Sequence, residues 1–114
     1  MDNGMENMLD MYLFETNSLL EQLDEVLLEA EKAGTFTTDD VNEIFRIMHT
    51  IKGSSAMMEF SSLMTIAHRI EDLFYFIREN TIDSIDEEHK KELFDLMFFS
   101  TGMLRAEVEK VENN

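Results

Sequence analysis

The sequence predicts an all-α protein built as an up-down-up-down antiparallel four-helix bundle. The 114 residues include no proline and only four glycines, so little in the chain interrupts a helix. Apolar residues recur at helical spacing in four segments. The connections between these segments are short, which makes successive helices antiparallel. A chain of this length forms one core, so we expect a single domain.

The first helix is predicted to run from Glu6 to Ala33. Gly34 ends it, because glycine adopts the backbone conformation that most often caps a helix C-terminus. Its apolar stripe consists of Leu9, Tyr12, Leu13, Leu20, Leu23, Val26, Leu27 and Ala30. Residues 35–38 are predicted to form the turn that follows.

The second helix is predicted to begin at the acidic pair Asp39 and Asp40, because a helix N-terminus favours negative charge. Its apolar stripe consists of Val41, Ile44, Phe45, Met48, Ile51 and Ser55. Residues 57–60 are then predicted to be a short link to the third helix.

The third helix is predicted to start at a serine cap, either Ser61 or Ser62, and to close at Asn80. Its apolar stripe consists of Leu63, Ile66, Ala67, Ile70, Leu73, Phe74 and Ile77. Both ends are therefore marked by polar residues.

The fourth helix follows Ser84 and Glu87, whose spacing fits a capping box. Its stripe consists of Leu93, Leu96, Met97, Ser100, Leu104, Val108 and Val111. Three phenylalanines fall off the stripes, namely Phe76, Phe98 and Phe99. They indicate a wide apolar face or a further helix beyond this segment, with a docking surface as the other possibility.

The charge and composition exclude several classes of function. The formal net charge of -16 repels a phosphate backbone, so we expect no nucleic-acid partner and favour proteins that carry a basic patch. The absence of cysteine excludes disulfides, thiolate metal sites and cysteine nucleophiles. The N-terminus lacks a basic run before an apolar segment, and no apolar stretch is long enough to cross a bilayer. We therefore expect a cytoplasmic protein without membrane contact.

The chemistry-bearing candidates of the second helix are His49, Lys52 and Gly53. His49 falls at the flank of the apolar stripe, where a side chain is partly exposed. Lys52 and Gly53 are its surface neighbours, and a side chain at position 53 would project over the imidazole. A glycine within a helix costs about 0.5–1 kcal/mol relative to alanine. The glycine at position 53 is explained either by open access to His49 or by close helix packing.

The third helix carries His68 and Glu71 on one flank. In an antiparallel hairpin of the second and third helices, His68 lies level with His49, and Glu71 lies within about one helical turn of it. A carboxylate there can accept a hydrogen bond from one imidazole nitrogen of His49. That bond fixes the tautomer and leaves the other nitrogen nucleophilic.

The run His49-Thr50-Ile51-Lys52-Gly53-Ser54-Ser55-Ala56, with His68-Arg69-Ile70-Glu71 in the next helix, resembles the histidine phosphotransfer (HPt) family. Within that family the chain is most similar to the N-terminal phosphotransfer domain of CheA-type chemotaxis kinases. The similarity extends over nearly the whole sequence. Glu59 departs from it, because such chains commonly have glycine there.

The resemblance implies a phosphorelay role for this domain. His49 would be the phosphorylated nucleophile, Glu71 the carboxylate that orients its ring, and Lys52, His68 and Gly53 the neighbours of the phosphoryl group. The partners would be the catalytic domain of a histidine kinase and a CheY-like receiver domain of a response regulator. ATP and magnesium would belong to these partners, because this chain has no glycine-rich phosphate loop and no expected cofactor or metal. We also expect the segment to be excised from a longer chain.

Three other classes of function compete with this interpretation. Di-iron bundles require Glu-x-x-His motifs, which this sequence lacks. A calcium sensor is the second class, but the acidic loop at residues 83–86 lacks the ligand spacing and the glycine of a calcium-binding loop. His89 and Glu92 repeat the His-x-x-Glu spacing, but we interpret them as solvent-facing. A helical adaptor that is never phosphorylated is the main alternative.

Overall fold

The computed structural model describes residues 3–80 and 85–114, which form an up-down-up-down four-helix bundle. The helices are α1 (Asn3–Ala33), α2 (Thr38–Met57), α3 (Ser61–Asn80) and α4 (Glu87–Glu112). Each helix packs against the next along the chain, and α1 also packs against α4. The predicted fold class is therefore confirmed. Within the described ranges, no helix is both long and apolar enough to span a membrane.

The four apolar stripes meet along the axis of the bundle and form a continuous core. Its fully buried large side chains are Leu20, Leu23, Leu27, Phe36, Ile44, Met48, Ile51, Leu63, Phe74, Met97, Leu104 and Val108. All but one of these residues lie on the predicted stripes. The exception is Phe36, which lies in the predicted turn after the first helix. Its ring stacks on Phe94 at 4.6 Å and meets the edge of Phe74 at 5.8 Å.

The α4 stripe is partly different from the prediction. Leu96 was expected in the core but is 47% exposed, whereas the unexpected Phe94 is buried. Phe94 is the residue on which the buried Phe36 ring stacks, so this side of α4 faces the core. Phe76, Phe98 and Phe99 are exposed, as their positions off the stripes predicted.

Both ends of the first interhelical turn are closed by local hydrogen bonds. Gly34 ends α1 at φ 79°, and the amides of Gly34 and Thr35 bond the carbonyls of Glu31 and Ala30. This pattern is a Schellman motif, and it confirms Gly34 as the terminating residue. At the start of α2, Thr37 and Asp40 form a reciprocal capping box. The helix therefore begins at Thr38, one residue before the predicted acidic pair.

The starts of α3 and α4 differ from the predicted caps. The carbonyl of Phe60 already accepts the amide of Met64, so Ser61 and Ser62 lie inside the first turn of α3. At α4, the side chain of Asp86 accepts the amide of His89 and is the N-cap. The predicted box began at Ser84, which lies outside the described residues, and its other member Glu87 is the first residue of α4.

The link between α2 and α3 is a second Schellman motif. The amides of Glu59 and Phe60 bond the carbonyls of Ala56 and Ser55, at 3.1 and 2.9 Å. Glu59 has φ 61°, a left-handed conformation that is unfavourable for residues with a Cβ atom. Glycine, the residue that the resemblance led us to expect here, would adopt this conformation without steric strain. The tight turn fixes the register of α2 against α3.

We expect Glu59→Gly to stabilise the domain by about 0.5–1 kcal/mol, because glycine adopts positive φ without steric strain. Urea unfolding measures the change. Glu59→Ala is the matched control, since it removes the same charge but keeps a Cβ atom. Equal stabilities of the glycine and alanine variants would contradict the strain at this turn.

Candidate functional site

The site lies where the outer flanks of α2 and α3 meet. On α2, the buried residues Met48 and Ile51 hold the helix against the core and turn His49 outward. The His49 side chain is 66% exposed. On α3, Glu71 faces α2 and its side chain is only 7% exposed. The hairpin thus places an accessible imidazole beside a buried carboxylate.

The hydrogen bond expected between His49 and Glu71 is present. His49 Nδ1 lies 2.5 Å from Glu71 Oε2. An ionised carboxylate can only accept hydrogen bonds, so Nδ1 carries the proton of this bond. In the neutral imidazole the lone pair is then on Nε2, the nitrogen that Glu71 does not engage. This arrangement makes Nε2 the nucleophilic atom of the site.

Lys52 binds the other oxygen of the same carboxylate. Its Nζ donates to Glu71 Oε1 at 2.6 Å. Burial is the largest single influence on the pKa of Glu71 and raises it, but the hydrogen bonds from Lys52 and His49 together outweigh burial. The pKa of Glu71 therefore lies below its usual value, and the carboxylate is ionised at neutral pH.

The surroundings of Gly53 are open. A Cβ atom built at this position meets no heavy atom within 4 Å. Close helix packing, the alternative explanation for this glycine, is therefore wrong. The other explanation, open access to His49, stays a prediction.

His68 lies at the edge of the site, with a side chain that is about half exposed. Its Nε2 is 3.6 Å from Asp72 Oδ2. One donor atom each from His68, Glu71 and Asp72 falls within a span of 4.8 Å, which makes them the candidate metal ligands among the described residues. Glu71 already binds Lys52 and His49, so a metal ion would compete with these contacts.

Helix α1 supports the C-terminal half of α2 from inside the bundle. Tyr12 Oη and Ser55 Oγ share a buried hydrogen bond of 2.7 Å. Burial, which outweighs this bond, raises the pKa of the Tyr12 hydroxyl, so the group stays neutral. The bond satisfies both hydroxyls and fixes the position of α2 along α1.

The sequence reasoning missed an aromatic cluster next to His49. Phe45 was assigned to the core stripe, but its ring also lies nearly parallel to the His49 imidazole, with 6.3 Å between centroids. Arg78 and Tyr75 of α3 complete the cluster. The four-residue separation of Phe45 and His49 was the signal that could have revealed the first contact.

His89 is solvent-facing, as interpreted from the sequence. Its Nδ1 lies 2.7 Å from Asp86 Oδ1, at the start of α4. This contact, chiefly its hydrogen bond, raises the pKa of His89. The pair serves the helix cap and lies on a different helix from the His49 site.

Comparison with known proteins identifies the class of the domain. A family model for the Hpt domain matches residues 7–114. The chain therefore belongs to the Hpt domain family and is a histidine phosphotransfer domain. No solved structure matches it.

The relatives that the chain matches include proteins named as chemotaxis proteins and one named as a sensor histidine kinase. The chain is 35% identical over 107 residues to chemotaxis protein CheA of Listeria monocytogenes, and 33% identical over 109 residues to chemotaxis protein CheA of Treponema pallidum. It is 39% identical over 80 residues to sensor histidine kinase CheAY of Helicobacter pylori. The alignments cover 94%, 96% and 70% of this chain but only 16%, 13% and 10% of those proteins.

We expect the Glu71 contacts to stabilise the fold in a pH-dependent way. Because the folded pKa of Glu71 lies below its ordinary value of 4.5, the stabilisation is complete above that pH and is lost as pH falls through the folded pKa. Glu71→Gln should cost about 1–2 kcal/mol at neutral pH, since it removes the charged acceptor of two hydrogen bonds, those from His49 and Lys52. This difference should shrink in acid.

Urea unfolding of both proteins between about pH 3 and 7 measures the effect. Glu21→Gln, at an exposed position on α1, is the control for loss of one negative charge. A stability difference between wild type and Glu71→Gln that is constant over the whole pH range would contradict the assigned pKa direction.

Proposed function

We propose that His49 accepts a phosphoryl group from the ATP-binding domain of a histidine kinase and passes it to an aspartate of a response regulator. One observation carries the proposal: an exposed imidazole is held through Nδ1 by a buried, ionised carboxylate, which leaves Nε2 free. Membership of the Hpt domain family supports the same role.

Phosphoryl transfer requires the protein mainly to position the reacting groups and to stabilise the charge that develops on them. The Nε2 lone pair of His49 attacks the γ-phosphorus of ATP, the bond to the β-γ bridging oxygen breaks, and ADP leaves. The proton stays on Nδ1, where the Glu71 carboxylate stabilises the positive charge that develops on the ring. In the second step the aspartate carboxylate of the regulator attacks the phosphorus, and the N–P bond breaks.

The neighbours of His49 have separate roles in this proposal. Lys52 supplies a cation that can turn toward the phosphoryl oxygens, and Gly53 leaves room for the incoming group. His68 lies at the edge of the site, where its half-exposed ring can contact the same oxygens. ATP and magnesium belong to the partners, and the domain needs no cofactor of its own.

The partners that we propose are a kinase catalytic domain and a CheY-like receiver domain, in chemotaxis-type two-component signalling. The support is the similarity to the two CheA proteins and to CheAY, which are named for chemotaxis and for a sensor kinase. The net charge of -16 would steer basic docking surfaces toward this domain. We propose that it acts in the cytoplasm, where the ATP that supplies the phosphoryl group is found, as one domain of a longer kinase.

We expect His49→Gln to abolish phosphorylation, because glutamine has no nucleophilic nitrogen. The kinase domain of a CheA relative and labelled ATP supply the phosphoryl group, and the measurement is acid-labile label on this domain. His89→Gln, which removes an exposed histidine from α4, is the matched control and should label like wild type. Label that survives His49→Gln, or is lost in His89→Gln, would assign the reaction to another histidine.

We expect substitution of Gly53 to separate stability from phosphotransfer. Gly53→Ala should stabilise the fold by about 0.5–1 kcal/mol through helix propensity. Gly53→Leu should still fold, because the position is open, but its side chain projects over His49 and should slow labelling by about tenfold or more.

Gly102→Leu is the control for the second variant, since Gly102 is an exposed glycine of α4 with equally open surroundings. Its labelling rate should equal that of wild type. Undiminished labelling of Gly53→Leu would show that the open space above His49 serves no purpose in the reaction.

A further inference from the structure

Phe45 lies on α2 one helical turn before His49, and its ring faces the imidazole. The two ring planes are inclined by only 14°, with centroids 6.3 Å apart. This is the offset-stacked range in which aromatic rings attract each other. Phe45 therefore borders His49 on the side opposite to Gly53, the residue that follows His49 by one turn.

Residues of α3 hold the Phe45 ring in place. The guanidinium carbon of Arg78 lies 4.4 Å from the centroid of Phe45 and 5.4 Å from that of Tyr75. The Phe45 and Tyr75 rings are themselves 6.3 Å apart. A cation over two aromatic rings is stabilised by both of their faces. Because the Arg78 side chain is only 35% exposed, water weakens this attraction less than it would on an open surface.

The bond from Glu71 alone does not fix the imidazole plane. It engages a single atom, Nδ1, and the torsion that turns a histidine ring about its Cβ–Cγ bond has broad energy minima. A ring that rocks about this torsion moves Nε2 away from the line along which the phosphorus approaches. A neighbouring ring that lies nearly parallel to the imidazole opposes that motion, and Phe45 is so placed, with its centroid offset at 6.3 Å.

We propose that Phe45 is a positioning residue for phosphotransfer at His49, and that Arg78 clamps it from α3. This inference rests on the proposed function of His49. Glu71 selects the tautomer, whereas Phe45 restricts the plane of the ring, so that Nε2 meets the phosphorus in line. Neither Phe45 nor Arg78 touches the reacting atoms in this role.

The test compares wild type with Phe45→Leu, Phe45→Tyr and Arg78→Met. Leucine keeps apolar bulk against the core but removes the flat face, whereas tyrosine keeps the ring. Arg78→Met keeps the side-chain length and removes the cation. Phe14→Leu is the matched control, because it makes the same change at an exposed position of α1. Unfolding curves identify a temperature at which every variant is folded.

Two readouts are measured on these proteins. The first is the rate at which phosphoramidate phosphorylates His49, because a small donor removes any contribution from protein docking. The second is the NMR order parameter of the His49 Cε1–H bond, with the ring nitrogen shifts reporting the tautomer. A merely structural role of Phe45 would change neither readout in a folded protein.

We expect Phe45→Leu to slow phosphorylation by about three- to tenfold, because the reacting atoms are less often aligned. Its order parameter should fall while the Nδ1–H tautomer is retained. Phe45→Tyr should restore both values, Arg78→Met should be intermediate, and Phe14→Leu should match wild type.

A wild-type rate and order parameter in Phe45→Leu would overturn the inference, as would a tyrosine variant that behaves like leucine. Failure of the proposed function has a different signature, because wild type itself would then take no phosphoryl group at His49. The order parameters, which need no phosphorylation, would in that case decide alone whether Phe45 orders the ring.

Discussion

The carboxylate of Glu71 is the constraint on which the arrangement of this domain depends. Removing a carboxylate from water is costly unless its oxygens are paired and hydrogen-bonded. Here each oxygen has a partner from α2, Lys52 at 2.6 Å and His49 at 2.5 Å. The same contacts that make burial tolerable also orient the imidazole. Substitution of Glu71 would therefore change both the stability of the fold and the orientation of His49.

The turn between α2 and α3 matters because it places both partners of that carboxylate. A slip of α3 by one residue would rotate Glu71 by about 100° and move it off the face that meets α2. The Schellman bonds at Glu59 and Phe60 prevent such a slip, although Glu59 itself is in a strained conformation. The buried bond between Tyr12 and Ser55 anchors the same end of α2 to α1. The relative positions of His49 and Glu71 therefore depend on the turn between α2 and α3, which lies outside the site.

Much of this architecture was predictable, because it follows from periodic and local signals. Helical spacing identified the four helices, and Gly34 marked the end of the first. The pairing of His49 with Glu71 followed from antiparallel register in a tight hairpin. Burial of Phe36 was not predictable, since its position in a connection gives no period from which burial can be read. Phe94, on which Phe36 stacks, is buried, whereas Leu96 of the expected stripe is exposed.

The remaining errors have a similar physical origin. A residue such as Ser84 or Asp86 can cap a helix equally well by type, and tertiary geometry decides between neighbouring candidates. The stack of Phe45 on His49 required side-chain orientations that spacing alone does not give. For Gly53 the sequence left two explanations open, access to His49 and close helix packing. Only the structure shows that the space around this glycine is empty, which excludes close packing.

The open surroundings of Gly53 also determine which substitutions a screen for stability would accept at this position. Libraries screened for heat resistance reward any residue that improves helix propensity, and a mid-helix glycine is among the first positions to be replaced. Such a screen would accept alanine at this position, but also larger helix formers such as leucine, whose side chain would project over the imidazole. A screen for stability alone would therefore accept well-folded variants whose imidazole is covered, unless access to His49 is assayed in the same round.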